Sequence, residues 1–196
     1  AAIATGKLVS PEQVETTGIA SITQREIADA GKLGYALKLI ASMTVLENGK
    51  LQMLVAPRFV AKSNPLASVD DVFNGIMVRG RAVGDVMFYG KGAGKYPTAS
   101  AVISDIIEIV SNVHPNAKPM LWERADAQIL ADVQTVPCRF YVRIAGDTHP
   151  DFAWERISDA DGQIAFLTPV MTEQQLIQNI KTQNLESCSV VRVMDV

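Results

Sequence analysis

Residues 35–46 and 51–60 form two runs rich in β-favouring residues, with Asn48-Gly49 between them. Asn-Gly supplies the positive φ that a tight hairpin turn needs, so it specifies an antiparallel pair when flanked by such runs. Strands this long present two broad faces, and apolar faces need cover. Residues 72–79 and 82–89 read as a second hairpin, turning at Gly80. Beyond it, Ala99, Val102, Ile103, Ile106, Ile107 and Val110 recur at i, i+3, i+4 spacing. That period predicts a helix over 97–110 whose apolar stripe is buried against the hairpins. The product is an α+β layer rather than a series of βαβ units.

Ser10-Pro11-Glu12-Gln13 and Thr23-Gln24-Arg25-Glu26 are capping boxes. The first opens a short turn, and the second opens a helix over about 24–33 that closes at Gly34. Residues 18–22 between them read as a strand. His114-Pro115-Asn116-Ala117-Lys118-Pro119 is a breaker cluster, followed by a short helix over 122–130. In 139–144, Phe140, Val142 and Ile144 alternate onto one face. A short helix over 152–157, a strand over 163–171, a helix capped by Thr172 and a strand over 189–196 complete a βαβαβ-like unit. About 60 residues is small for an independent core, so this unit needs docking or pairing. The expected architecture is therefore α+β. A mostly antiparallel sheet covered by helices on one face occupies 1–112, a linker 113–135, and a small ferredoxin-like βαβαβ domain 136–196.

The chain has 196 residues and a formal net charge of -3, with no basic patch, which argues against a nucleic-acid partner. No apolar run approaches the ~20 residues needed to span a bilayer, so no membrane partner is expected. Ala1-Ala2-Ile3 opens the chain without Met or a basic n-region, and reads as a cut or processed start. Cys138 and Cys188 are too few for a disulfide framework, and neither they nor His114 and His149 stand in a metal-ligand pattern. A cytoplasmic protein without a metal site is expected.

The segment Tyr89-Gly90-Lys91-Gly92-Ala93-Gly94-Lys95-Tyr96-Pro97 carries glycine at every second position and runs into a helix-opening proline. Its spacing is neither G-x-G-x-x-G nor a P-loop, so spacing alone leaves two readings open. One is a tight packing turn. The other is a bare backbone loop aimed at a helix N-terminus, where free N–H groups favour a partly negative ligand. Lys91 and Lys95 could steer phosphates or stand solvated. Lys38 lies in an apolar strand run and calls for a structural ion pair rather than catalysis. Asn74 is expected to hydrogen-bond local backbone.

Several blocks taken together carry a family resemblance. They are Leu33-Gly34-Tyr35-Ala36-Leu37-Lys38-Leu39-Ile40-Ala41, Val55-Ala56-Pro57, Pro65-Leu66-Ala67-Ser68-Val69, Phe73-Asn74-Gly75-Ile76, and Gly92-Ala93-Gly94 with Pro97-Thr98-Ala99-Ser100-Ala101-Val102 and Asp105-Ile106-Ile107. In order and spacing they resemble homoserine dehydrogenase over about residues 10–110, the later part of its catalytic and dimerisation domain. The resemblance implies reduction of aspartate 4-semialdehyde to homoserine with NADPH or NADH, on the route to threonine and methionine. It implies a homodimer and a nucleotide-binding domain that precedes this region. The family's catalytic lysine and aspartate align upstream of Ala1, and Lys7 is not that lysine, so no catalytic residue is expected within this chain. The family's cofactor-contacting glycine matches Gly94, with Ala93 and Gly92 beside it.

Residues 136–196 resemble a shortened ACT domain, which would make threonine a possible effector. Three departures stand out. Asn64 replaces the family's His, Gly75 replaces Ala, and Asp147-Thr148-His149-Pro150-Asp151 stands where an Asp-x-Pro-Gly turn is usual. Three functions fit these residues: the C-terminal portion of a dehydrogenase, inactive by itself; an amino-acid-sensing module; and a dimerisation platform.

Overall fold

The strands Tyr35–Val45 and Leu51–Ala61 pair antiparallel, with Tyr35 opposite Ala61 and Val45 opposite Leu51. Gly49 takes φ 78° in the connecting turn, and the Leu46 N–H donates to the Lys50 carbonyl at 2.8 Å. The structure, a computed structural model, describes residues 1–111, 122–146, 150–151 and 154–194. Elements in chain order are α1 (Ala2–Thr5), β1 (Lys7–Leu8), β2 (Glu15–Thr16), α2 (Gln24–Lys32), β3 (Tyr35–Val45), β4 (Leu51–Ala61), β5 (Phe73–Gly80), β6 (Gly84–Lys91), α3 (Lys95–Ser111), β7 (Glu123–Arg124), β8 (Arg139–Ala145), β9 (Glu155–Ala160), β10 (Gln163–Leu167), α4 (Glu173–Thr182) and β11 (Ser187–Met194). The described residues fall into two compact units, one from Ala1–Lys62 with Trp122–Val196, the other from Ser63–Leu121.

The first unit is built on one seven-stranded sheet, ordered β2-β4-β11-β8-β10-β9, with β3 also pairing β4. β11 joins β4 in parallel through Arg192, Val193 and Met194, and β2 joins it in parallel through Glu15 and Thr16. The remaining pairings are antiparallel. C-terminal strands thus extend the sheet begun by the first hairpin. Residues 122–135, expected within the linker, are packed here: Leu130 bridges Leu51, and Val133 is buried with Leu54 and Ala56.

Alternation along the strands splits the core into two layers. On one face Tyr141, Ala165, Leu167, Val191 and Val193 join Phe59 and Ala30 of α2. On the other, Phe140, Val142, Ile144, Ile164 and Phe166 pack with Trp154, Leu185 and Leu176 of α4. The α+β class therefore holds, but the helices cover opposite faces of the sheet rather than one. The reason is that β8 and β10 are buried at odd and even positions alike, with Tyr141 and Arg143 on one face of β8 and Phe140, Val142 and Ile144 on the other, so both sides need cover.

Three local expectations are corrected. Residues 155–160 form strand β9 rather than a helix, and the described order of the C-terminal segment is β8-β9-β10-α4-β11 rather than βαβαβ. Asp161 and Gly162 both take positive φ, 52° and 66°, in the two-residue turn that joins β9 to β10. Residues 18–22 turn rather than extend, with the Ile22 N–H donating to the Ile19 carbonyl at 3.0 Å. Residues 122–130 hold strand β7, paired parallel to β1, and a single 3-10 turn in place of a helix. The breaker cluster 114–119 and residues 147–149 of the segment expected in place of an ACT turn lie outside the described residues.

Polar groups lock α2 onto the C-terminal strands. Arg143 of β8 reaches Glu26 at 2.6 Å, and their side chains are 9% and 0% exposed. The Glu26 carboxylate also accepts from the Thr23 N–H at 2.8 Å. Asp29 accepts from the Tyr141 hydroxyl at 2.9 Å and the Ser158 hydroxyl at 2.7 Å. Burial works to raise the Glu26 pKa, but hydrogen bonds from Thr23, its own N–H and Ser189 prevail and hold it below its ordinary value. Asp29 is likewise held low, with burial outweighed by Ser158, Lys32 and Tyr141. Burial, together with Asp29, pushes the Tyr141 phenol up.

Glu26→Ala strands the Arg143 guanidinium in the core and should cost about 3–5 kcal/mol in urea unfolding, part of it regained in Glu26→Ala/Arg143→Met. A cost below about 1 kcal/mol would mean that the pair does not bind α2 to the sheet. Carboxyls whose folded pKa is depressed stabilise fully above the unfolded range near ~4 and lose that contribution as pH falls through the lowered value. Urea midpoints should therefore drop below about pH 4, and Asp29→Asn should flatten that acid limb.

Candidate functional site

In the second unit β5 and β6 pair antiparallel, with Phe73 opposite Lys91 and Asn74 opposite Gly90. Strand β6 begins at Gly84, which takes φ 72° after the turn through 81–83, slightly later than the sequence suggests. The Phe73 and Tyr89 rings stack at 4.8 Å with planes 5° apart, and the Lys91 ammonium lies 5.8 Å from the Phe73 centroid. Asn64 is buried and accepts from the Leu66 N–H at 3.0 Å, capping the turn Pro65–Ser68. A Cβ at Gly75 would meet Met87 Cε at 2.7 Å and Val69 Cγ2 at 2.8 Å. The departure from Ala at 75 is thus matched by tight packing around it.

The glycine segment leaves β6 and enters α3. The Gly92 N–H donates to the Val72 carbonyl and the Thr98 N–H to the Gly94 carbonyl, both at 3.1 Å. α3 begins at Lys95, two residues before the expected start, and Pro97 sits in its first turn, where backbone N–H groups need no helical partner. Two of the three glycines have separate reasons to be glycine, and Gly90 has none in the surrounding space. Gly94 takes φ 110°, and a Cβ there would meet only Pro97 Cδ at 3.7 Å, otherwise facing open space. A Cβ at Gly92 would overlap the Asn74 carboxamide, whereas one at Gly90 would meet nothing within 4 Å. Residues 88–96 and Thr98 are exposed, and Pro97 is half-buried, so the loop backbone is open to a ligand.

Asn74 departs from its expected role: among the described residues its carboxamide has no hydrogen-bond partner. Lys91 and Lys95 are exposed, with Lys95 lying 5.0 Å from the Tyr96 centroid. The apolar stripe of α3 is not buried against the hairpin. Ile103, Ile106, Ile107 and Val110 are exposed, as are Ile76 and Phe88 of the hairpin, and no apolar residue of 63–111 is buried.

In the first unit, Lys38 is half-buried and faces Arg58 across the ladder. Arg58 donates to the Ser42 hydroxyl at 2.8 Å, and burial, then the Arg192 charge, holds its pKa down. Arg192 pairs with Glu173 at 2.5 Å and Glu15 at 3.6 Å. A cavity of about 230 Å³ bounded by Thr17, Ser21, Pro57 and residues 187–190 offers hydroxyls and Cys188 but no charged side chain. Among the described residues no three of His, Cys, Asp or Glu gather where they could hold a metal ion.

Gly94→Ala places a side chain in the left-handed region and should cost about 1–2 kcal/mol of local stability, whereas Gly90→Ala should be tolerated. Gly92→Ala should expel the Asn74 side chain and move its amide resonances in a ¹⁵N correlation spectrum. Unchanged Asn74 signals would contradict the contact described above.

The homoserine dehydrogenase family profile matches residues 1–107. A homoserine dehydrogenase of Corynebacterium glutamicum is 40% identical over 179 residues, covering 89% of this chain and 38% of that protein. One of Synechocystis is 40% identical over 153 residues, covering 73% and 35%. The crystal structure of a homoserine dehydrogenase from Thiobacillus denitrificans superposes with a TM-score of 0.79 at 27% identity, over 99% of this chain and 50% of that one. A Staphylococcus aureus homoserine dehydrogenase gives 0.75 at 27% identity, over 100% and 50%. The chain spans little more than a third of the length of these curated relatives and half that of the solved structures. With the profile covering more than half of its residues, the chain belongs to the homoserine dehydrogenase family.

Proposed function

We propose that this chain is the C-terminal portion of a homoserine dehydrogenase and forms one wall of its active site. The reaction is the interconversion of L-aspartate 4-semialdehyde and L-homoserine with NADP or NAD. The observation that carries this reading is the open loop 90–94 within a chain of this family. Gly92, Ala93 and Gly94 are its dinucleotide-contacting residues. The fit is physical: Gly94 has no Cβ, the space in front of it is open, and a flat ring can approach the backbone closely. When bound, the dinucleotide supplies hydride chemistry; the loop supplies position and excludes water from one side. The catalytic lysine and aspartate belong to a preceding nucleotide-binding half.

The uncovered apolar side chains of α3 and the β5–β6 hairpin support such a half, because exposed patches of this kind mark interaction surfaces. We place the protein in the cytoplasm as a homodimer; among the described residues no helix is long and apolar enough to cross a membrane. In this reading residues 1–112 belong to the catalytic and dimerisation domain and 136–196 derive from an ACT-type unit, with 113–135 between them. The β8-β9-β10-α4-β11 order favours a second reading, an amino-acid-sensing module with threonine as effector.

The chain alone should show no NADPH- or NADH-dependent reduction of aspartate 4-semialdehyde, and joining a nucleotide-binding half should restore it. Turnover by the chain alone would show that the proton-transfer groups lie within it. Calorimetric saturation with threonine would favour the sensing module, and a flat trace would remove it. Sedimentation at several concentrations checks the dimer.

A further inference from the structure

The loop holds a pairing that its backbone geometry does not require. Gly94 is demanded by its φ of 110°, but Gly92 is demanded by a side chain, since the Asn74 carboxamide occupies the place of its Cβ. Asn74 lies in β5 opposite Gly90, where asparagine is disfavoured by strand propensity. Glycine at 92 adds a further entropic cost. No internal hydrogen bond offsets either cost, because among the described residues the Asn74 carboxamide has no partner. Asn74 is exposed, and its carboxamide, with Nδ2 nearest Gly92, lies at the loop rather than in the protein interior.

A carboxamide carries an N–H donor and a carbonyl acceptor side by side, and another primary amide is its reciprocal partner, giving and taking one hydrogen bond. We propose that Asn74 is a positioning residue: lodged against the bare backbone of Gly92, its carboxamide pairs with the carboxamide of a nicotinamide ring and sets which way the ring lies on the loop. This deepens the dinucleotide reading given above and rests on it. Lys91 and Lys95 do not compete for the role, because an ammonium donates only and both lie over aromatic rings.

The test uses the full-length protein and two probes. One is the reduced dinucleotide it uses, NADPH or NADH, followed by its own fluorescence. The other is the matching ADP-ribose or 2′-phospho-ADP-ribose, which lacks the nicotinamide. Asn74→Asp keeps the shape and removes the N–H donors, and Asn74→Ala removes the group. Both should weaken the dinucleotide by about tenfold, the scale of a lost hydrogen-bonded pair, and leave the ribose probe unchanged. Equal weakening of both probes would assign Asn74 to loop shape and overturn the proposal. Wild-type affinity in both Asn74 variants would overturn it too. Gly94→Ala separates the two levels: if it weakens the dinucleotide while the Asn74 variants do not, the loop reading survives and the Asn74 inference falls. If all three variants bind as wild type, both fall.

Discussion

The ion pair between Glu26 and Arg143 joins segments more than a hundred residues apart, and the first unit depends on it. A buried guanidinium or carboxylate without its counter-charge is among the costliest defects a core can hold. Here each sits beside the other at 2.6 Å, and Asp29, Tyr141 and Ser158 continue the polar seam one turn along α2. The seam fixes the helix against β8 and β9, and α2 also packs on β3, so the C-terminal strands are committed to the sheet that the first hairpin begins. Apolar packing of Ala30, Phe59, Tyr141 and Val191 supplies most of the area, while the charges specify which helix face meets which strand.

The second unit is organised by a different constraint. Its hairpin is stapled by backbone ladders and a stacked aromatic pair, yet its apolar residues stay uncovered. Exposed apolar patches on this scale are expected where another surface docks. Beside them runs a loop in which two glycines are accounted for separately, Gly94 by a left-handed backbone and Gly92 by a neighbouring carboxamide. A loop carried between a strand end and a helix start has its backbone groups held by both elements, and the rest is left open to a partner.

Much of this was legible in the residues because the relevant forces are local. Asn48-Gly49, the Thr23 and Thr172 capping boxes and the C′ glycine at 34 act within a few residues, and each appears where the sequence places it. The family blocks around Gly34, Pro65 and Gly94 were readable for a similar reason, since each is a turn or helix start that tolerates few residue types. Asp161-Gly162 carried a hairpin signal of the same kind, but the aromatic and aliphatic residues just before it resemble a helical stripe and masked the strand that leads into the turn. The stretch from Gly18 to Ile22 is apolar enough for a strand, but it turns so that Ile22 can join the core under α2.

Sequence alone determined the class of the fold, the positions of its turns and caps, and the family, because periodicity, glycine placement and capping chemistry act along the chain. Only the tertiary structure decided that β11 lies beside β4 and merges the C-terminal strands into one sheet, that two helices cover opposite faces of it, and that Asn74 lies against Gly92. Those outcomes depend on which distant groups can satisfy one another's charge, shape and hydrogen-bonding needs at once, and that balance is struck in space rather than along the chain.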